Sequence, residues 1–568
     1  MQISKLPSEQ NNNIEKYFPL ALLALCAGVF FYGLGGLPFI GPDEPRYAQV
    51  AREMFISGDW VTTKLGGINW FEKPALTYWL SAAGYKLFGE NEFGARFFIA
   101  VFATIGALLV YGFGKRIRSA RFGFLSAAVL TTCGMWPGFA RVATFDMPLS
   151  VAMTLALASF LVWEQNEEQQ SRNRFWFLMC FALGLGVLAK GLVGIVLPCA
   201  VIVLYSLLTR RLKILFKPKL LLIGAVIFLA TAATWYAPVI AKHGREFINE
   251  FFIGHHFQRY LSNKYKHPQP AYFFFLVALA GSFPWTFYLL GSAWNSIRNW
   301  REALADRLRL FLWLWVLVTI GFFSFSGSKL PGYVLPIFPA IALLVGLELE
   351  RWWQPTPARN RDGEEAGGSK VLAALTAAFI AGVGVAAVFV SQRELGVTAG
   401  SAWLIGGVTI AAAVIFLAVW LRRGGQLALM VLPFTLIAVI VAATHWVFPA
   451  LGNRESLKPL AQAAKLAAQT GEKLVFFVNE DHGINFYATE LPWRDTKSEL
   501  VSVTSADNID LMIQVSPTRS ILVASRKRWL EGITKSEKLV AEKLGEQNYN
   551  ARCSPNCDWV LLRVRRKQ

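Results

Sequence analysis

Residues 427–449 read LALMVLPFTLIAVIVAATHWVFP, with no Asp, Glu, Lys or Arg among them. The hydrocarbon core of a bilayer is about 30 Å thick and a helix rises about 1.5 Å per residue, so about 20 apolar residues span it. This run is long enough to cross. Working back from it, comparable runs lie at 402–421, 371–391, 330–349, 308–325, 271–292, 218–241, 191–208, 174–190, 145–164, 122–139, 95–114 and 17–36, thirteen in all. The whole composition agrees: 54% of the 568 residues are hydrophobic, 16% are charged, and mean hydropathy is +0.41. A soluble chain is about a quarter charged. A disordered chain, a fibrous chain and an ordinary cytosolic enzyme are thereby excluded. The formal charge of +19 would suggest nucleic acid in a soluble protein. Here the excess sits in short loops beside apolar runs, and no DNA- or RNA-binding signature accompanies it.

Those loops set an orientation. Lys and Arg collect in one set: at 115–121, 172–174, 210–219, 298–309, 351–370 and 422–423, with Lys5 and Lys16 before the first run. The short loops of the opposite set hold only Arg141, Lys190, Lys329 and Arg393. The basic set faces the cytoplasm. An odd number of spans then puts the N-terminus inside and the C-terminus outside. The first run follows a polar stretch and lacks an Ala-x-Ala-like exit, which predicts an anchor and not a cleaved signal peptide.

The chain divides into a transmembrane part, 1–451, with long external loops at 37–94 and 242–270, and an external part, 452–568. Composition changes after Leu451. Ser456–Gln469 has helical periodicity, and Lys473–Val478, Ser520–Ser525 and Trp559–Val564 pattern as strands, so a small α/β domain is expected. Cys26, Cys133, Cys180 and Cys199 fall in spans and act as small apolar residues. Cys553 and Cys557, in C-S-P-N-C, suit a disulfide in an oxidising compartment, and a zinc site lacks its second ligand pair.

The chemistry concentrates on the external side. Gly41-Pro42-Asp43-Glu44-Pro45-Arg46-Tyr47 follows the first run, and its prolines end the span and fix a turn. Adjacent carboxylates at a membrane surface are costly unless paired or wet. The plainer reading makes Asp43 a helix N-cap; the chemical reading makes it a site acid. Asp146, in Arg141-Val-Ala-Thr-Phe-Asp-Met-Pro at the external end of the fourth run, poses the same choice between snorkelling and function. Arg46, Tyr47, Lys73, Arg259, Lys329 and Tyr333 lie on that side too and suit phosphate oxygens. Attraction to lipid head groups explains scattered Lys and Arg, but not the carboxylates Glu44 and Glu72 interleaved with them. Glu72 with His255 and His256 could hold a divalent metal, although adjacent histidines usually point apart. No Walker motif is present, so ATP-driven transport is not expected. Nucleotide sugars do not occur outside, so a sugar donor used there is lipid-linked.

Gly41-Pro-Asp-Glu-Pro-Arg-Tyr, Phe71-Glu-Lys-Pro-Ala-Leu-Thr-Tyr-Trp, Arg141-Val-Ala-Thr-Phe-Asp-Met-Pro and Ser328-Lys-Leu-Pro-Gly-Tyr-Val-Leu-Pro resemble the motifs of the bacterial lipid A 4-amino-4-deoxy-L-arabinose transferases. These belong to the C-type glycosyltransferase superfamily and are similar to protein O-mannosyltransferases. Thirteen spans with an external C-terminal domain is also that family's plan. The resemblance implies a Gram-negative inner-membrane enzyme that moves the amino sugar from undecaprenyl phosphate to a lipid A phosphate on the periplasmic face. The product is less negative and binds polymyxin and cationic peptides less well. It further implies an inverting reaction with no metal or other cofactor required; a monomer is expected.

On this reading Lys73 and Tyr333 meet the donor phosphate, with Arg259 and Tyr47 in support, because oriented cations and donors stabilise charge on a leaving phosphate. Glu44, Arg46, Glu72 and Lys329 join the substrate-binding set. A phosphate acceptor needs no strong base, so Asp43 binds the ammonium, steers the acceptor or stabilises positive charge on the sugar; for a hydroxyl acceptor it would be the base. Asp146 suits the same tasks. The nearest alternative is a protein O-mannosyltransferase or another polyprenyl-phosphate-sugar transferase. A flippase would carry inverted repeats and facing broken helices, and only Gly281–Pro284 interrupts a span. A mere anchor for the external domain would not need thirteen spans.

Overall fold

The computed structural model describes residues 12–165, 169–251, 254, 269–352, 370–393, 397–423, 425–469, 471–478, 480–489, 492, 500–547 and 558–567. It is a multi-pass helical membrane protein with a small C-terminal sheet domain. Among the described residues nine helices are long and apolar enough to cross a bilayer, or ten if a pair bent by 120°, Phe273–Gly281 with Thr286–Arg298, is one span. Shorter apolar helices occupy Phe18–Phe31, Ala120–Thr132 and Val193–Leu208. Each of the thirteen apolar runs falls on one of these helices, but four of them differ from a straight, full-length span. The run at 122–139 stops at Cys133, and Gly134 donates its N–H to the Phe283 carbonyl (2.8 Å), across to the bend of the broken pair. Pro284 ends the helix that precedes it, because it has no N–H to give and its ring meets the preceding turn.

Burial ranks the spans. In Asp146–Gln165 and Pro331–Glu350, 89% and 94% of the apolar window is buried in protein, whereas Pro218–His243 and Leu427–Glu455 bury 22% and 28%. The first two form the centre of the bundle and the others face lipid. Both central helices begin at the same end, beside the loops of 37–94. Five helices carry or brace that end: α1 (Asp43–Ser57), α2 (Leu76–Phe88), α3 (Glu92–Ile117), α4 (Asp146–Gln165) and α5 (Gln169–Lys190). A hairpin of β1 (Lys64–Leu65) and β2 (Ile68–Asn69) joins α1 to α2. Glu53 of α1 fixes it by accepting from the backbone N–H groups of Gly66 and Gly67 at 2.9 and 3.0 Å.

The C-terminal domain runs α6 (Lys458–Ala467), β3 (Leu474–Phe477), α7 (His482–Ala488), β4 (Ser502–Val503), α8 (Ala506–Val515), β5 (Ser520–Arg526), β6 (Leu539–Gln547) and β7 (Trp559–Arg566). The sheet order is β4-β3-β5-β7-β6. β4, β3 and β5 are parallel, with Val475 opposite Val523, and β7 runs antiparallel to β5, with Ala524 opposite Leu561. Both faces are covered: Leu474, Phe476, Leu522 and Trp559 pack with α6 and α7, and Val475, Phe477, Val523 and Val560 with α8. The three strands expected from the sequence are present. β6 escapes its pattern because Glu542, Lys543 and Glu546 interrupt the apolar alternation, as suits the solvent side of an edge strand.

Candidate active site

The acidic segment is held by neighbours distant in sequence. Gly41 takes φ 70°, a conformation other residues adopt at a cost, and turns the chain into α1. The N-cap of α1 is Pro42, without a side-chain cap bond, so Asp43 is the first helical residue and not the cap. Its carboxylate is about half exposed and lies 3.5 Å from Arg46. Glu44 points the opposite way. It is 3% exposed, accepts from Arg96 Nε and Nη2 (2.7 and 2.8 Å), and accepts a third bond from the Ala143 N–H (2.9 Å). A buried carboxylate survives when paired and fully hydrogen-bonded in this way. Glu44 is therefore a clamp between α1, α3 and the loop before α4. The expectation that it binds substrate is corrected: it does not line the cavity.

That cavity, of about 460 Å³, opens where the loops of 37–94 meet the two central helices. Asp43, Tyr47, Glu72 and Lys73 form one wall; Asp146 at the start of α4, Lys190 at the end of α5, and Tyr333 form the other. Phe139, Phe145, Phe322, Phe323 and Val193 make much of the remainder apolar, with Thr144, Ser326 and Ser328 among them. Charges alternate. Lys73 meets Glu72 at 3.2 Å, and Arg46 reaches Glu72 at 3.6 Å as well as Asp43. Lys190 donates to Asp146 and lies 4.8 Å from the Tyr333 ring centre, a cation–π distance. Gly332 makes room for the second carboxylate, since a Cβ there would sit 2.6 Å from Asp146 Oδ2. Tyr47 packs edge-on against Phe145 at 4.7 Å and so bridges the walls. Burial, reinforced by Glu72, pushes its phenol well above the usual tyrosine range, which keeps it a neutral donor.

The structure thus brings Asp43, Tyr47, Glu72, Lys73, Asp146 and Tyr333 to one hollow, with Arg46 directly behind. Lys329 departs from expectation: it is 9% exposed, does not line the cavity, and donates to the Ser326 carbonyl at 2.8 Å, bracing the turn that presents Tyr333. Arg259, His255, His256, Cys553 and Cys557 lie outside the described residues. Among the described residues no group of three His, Cys, Asp or Glu is arranged to hold a metal. Glu72, the described member of the suggested metal set, already serves two cations. Sequence reasoning misses Lys190. The signal is there, because a lone ionisable residue at the end of an apolar run is a functional candidate, but Lys190 enters the sequence reading only as a loop charge.

Residues 72–237 match the model of the family described as dolichyl-phosphate-mannose-protein mannosyltransferase. The undecaprenyl phosphate-alpha-4-amino-4-deoxy-L-arabinose arabinosyl transferase of Erwinia tasmaniensis is 34% identical over 54% of this chain and 54% of that protein. The one from Aeromonas hydrophila is 32% identical over 56% and 57%. The chain therefore matches about half the length of these curated relatives. The crystal structure of ArnT from Cupriavidus metallidurans bound to undecaprenyl phosphate superposes with a TM-score of 0.77 at 24% identity, over 98% of both chains. Its apo form gives 0.75 at 23%, over 97% and 98%. By fold over nearly its whole length the chain is similar to the ArnT of Cupriavidus metallidurans, and by sequence over about half of it to the curated arabinosyl transferases.

Proposed function

We propose that this protein transfers 4-amino-4-deoxy-L-arabinose from undecaprenyl phosphate to a lipid A phosphate, with inversion, at the periplasmic face of a Gram-negative inner membrane. The observation that carries the reading is the cavity in which Asp43, Lys73, Asp146, Lys190 and Tyr333 converge beside an apolar wall. Such a hollow suits a polyprenyl phosphate. The bond from the anomeric carbon to the donor phosphate oxygen breaks, its electron pair leaves with undecaprenyl phosphate, and an acceptor phosphate oxygen bonds to the opposite face of that carbon. Lys73, Tyr333 and Lys190 stabilise charge on the departing phosphate, with the neutral Tyr47 donating and Arg259 in support; preorganised donors of this kind are usually the largest catalytic contribution. Asp43, exposed at the rim, faces the sugar's developing positive charge or its ammonium. Asp146 holds Lys190 in place. No metal is required. The acceptor phosphate is ionised near neutral pH, so no group need act as a strong base.

The distribution of Lys and Arg supports a cytoplasmic N-terminus, with the cavity and the C-terminal domain in the periplasm. A reporter fused after Gln568 should be active only in the periplasm. The deciding experiment is mass spectrometry of lipid A from a polymyxin-sensitive strain with and without the gene: lipid A gains an amino-pentose if the reading is right and is unchanged if it is wrong. Asp43→Asn and Lys73→Ala should fold and abolish that gain. The match of residues 72–237 to a mannosyltransferase family favours one second reading, transfer of mannose from a polyprenyl phosphate to Ser or Thr, for which glycopeptides and not lipid A would gain mass.

A further inference from the structure

The C-terminal domain reaches the chain just before the acidic segment with a polar side chain, Tyr487. Tyr487, on α7, accepts from the Phe39 N–H at 2.8 Å and donates its own proton to Glu92 Oε1 at 2.9 Å. Lys458 of α6 donates to that same oxygen at 2.7 Å. The Phe39 ring is enclosed: it meets Phe486 edge-on at 5.0 Å and Tyr487 at 5.8 Å, and the Arg96 guanidinium lies 5.2 Å from its centre. Arg96 is the partner of Glu44 and also donates to the carbonyls of Leu34 and Leu37 at 3.1 and 2.6 Å. Asp43 therefore hangs between two fixed points. Phe39, four residues before it, is pinned by the C-terminal domain; Glu44, one residue after it, is pinned by Arg96. Further contacts seat the domain on α1. Arg52 lies 5.6 Å from the Phe486 ring centre, and a Cβ on Gly483 would stand 3.8 Å from that of Pro45. The Leu500 N–H donates to Gly66 of the hairpin at 2.7 Å.

We propose that Tyr487 is a positioning residue, and that the C-terminal domain completes the cavity by fixing the approach of the chain to Asp43. The hydroxyl performs both tasks, since it alone receives the Phe39 N–H, and Glu92 orients it by taking its proton. The positioning role stands on these contacts; its consequence for turnover rests on the proposed sugar transfer.

The test uses the full-length protein in nanodiscs with Tyr487→Phe, which keeps the ring and removes the hydroxyl. Hydrogen exchange over 40–47 should quicken at least tenfold while exchange in β3 and β5, which reports folding of the domain, stays the same. In transfer assays kcat should fall at least tenfold with KM for the lipid donor within twofold, because a misplaced Asp43 affects the transition state more than donor binding. Lys458→Ala, which shares Glu92 but does not touch Phe39, should leave kcat within twofold. Unchanged exchange over 40–47 in Tyr487→Phe overturns the proposal, whatever happens to turnover, and so does quickened exchange with wild-type kcat. If the wild-type protein transfers no aminoarabinose, the functional reading fails by itself, and the exchange measurement still decides the role of Tyr487.

Discussion

Lys190 and Asp146 are each largely buried and depend on one another, and the pair gives the clearest expectation for single residues. Removing one partner of a buried ion pair costs about 3–5 kcal/mol, whereas replacing both by apolar groups is often neutral. Lys190→Met should therefore lower stability by about that amount and reduce transfer at least about 100-fold. The double variant Lys190→Met/Asp146→Leu should recover the stability, read by thermal denaturation, and not the transfer. Gly332→Ala probes the same carboxylate differently. Its Cβ would need the space 2.6 Å from Asp146 Oδ2. A shift of about 1 Å in a reacting group can cost about 10²-fold in rate, so turnover should fall by 10–100-fold, to order of magnitude, with folding intact by circular dichroism. At this scale the sequence was legible where charge stands out against an apolar background, as in Asp43, Lys73 and Asp146. It was not legible where two like residues take opposite faces. Nothing in Asp43-Glu44 says which one turns inward, because the answer is Arg96, 52 positions from Glu44. The same holds for Lys329, whose ammonium is taken by a local carbonyl.

Single elements show the same division. Apolar runs were readable because a bilayer demands hydropathy of any segment that crosses it, so 308–325 and 402–421 appear within a few residues of their places. The break after Ala120–Thr132 and the bend at 281–286 depend on contacts between those two places and carried only a Gly or Pro as warning. Helix α7 gives a prediction in pH. Burial, helped by Arg46, lowers the pKa of His482 to about 4. An unfolded chain binds this proton near pH 6.5 and the folded one only near 4, so the unfolded state holds more protons between those values. The stability from neutral His482 is thus fully present above about pH 6.5 and is lost as pH falls towards 4. The loss should reach about 2–3 kcal/mol, at about 1.4 kcal/mol per unit. Denaturation of the C-terminal domain followed from pH 7 to 4 should show this slope, and His482→Gln should flatten it.

For the molecule as a whole, the bilayer replaces water as the solvent of the outer helices. Lipid tails are about as apolar as Leu, so truncating a lipid-facing side chain removes little. Phe389 is 67% exposed and Phe160 fully buried in the centre of the bundle. Phe160→Ala should cost about 3–5 kcal/mol by cavity formation, and Phe389→Ala less than about 1 kcal/mol in a bilayer, as measured by unfolding in mixed micelles. Architecture at this scale was open to inspection in the sequence, since thirteen apolar runs and a late change of composition already outline it. The seating of the C-terminal domain was not, because Tyr487 and Phe39 are 448 positions apart and neither is unusual in its own neighbourhood.

The Glu44 clamp has a mechanical consequence. One carboxylate ties the first turn of α1 to the Ala143 N–H, three residues before Asp146. Asp43 and Asp146, on opposite walls of the cavity, are thus joined by one short link and shift together. Any widening of the cavity then falls to the segment from Ser326 to Tyr333, which lines it outside that link. A probe pair from α1 to the 326–333 segment should report any opening and closing, while one joining α1 to the start of α4 should stay silent.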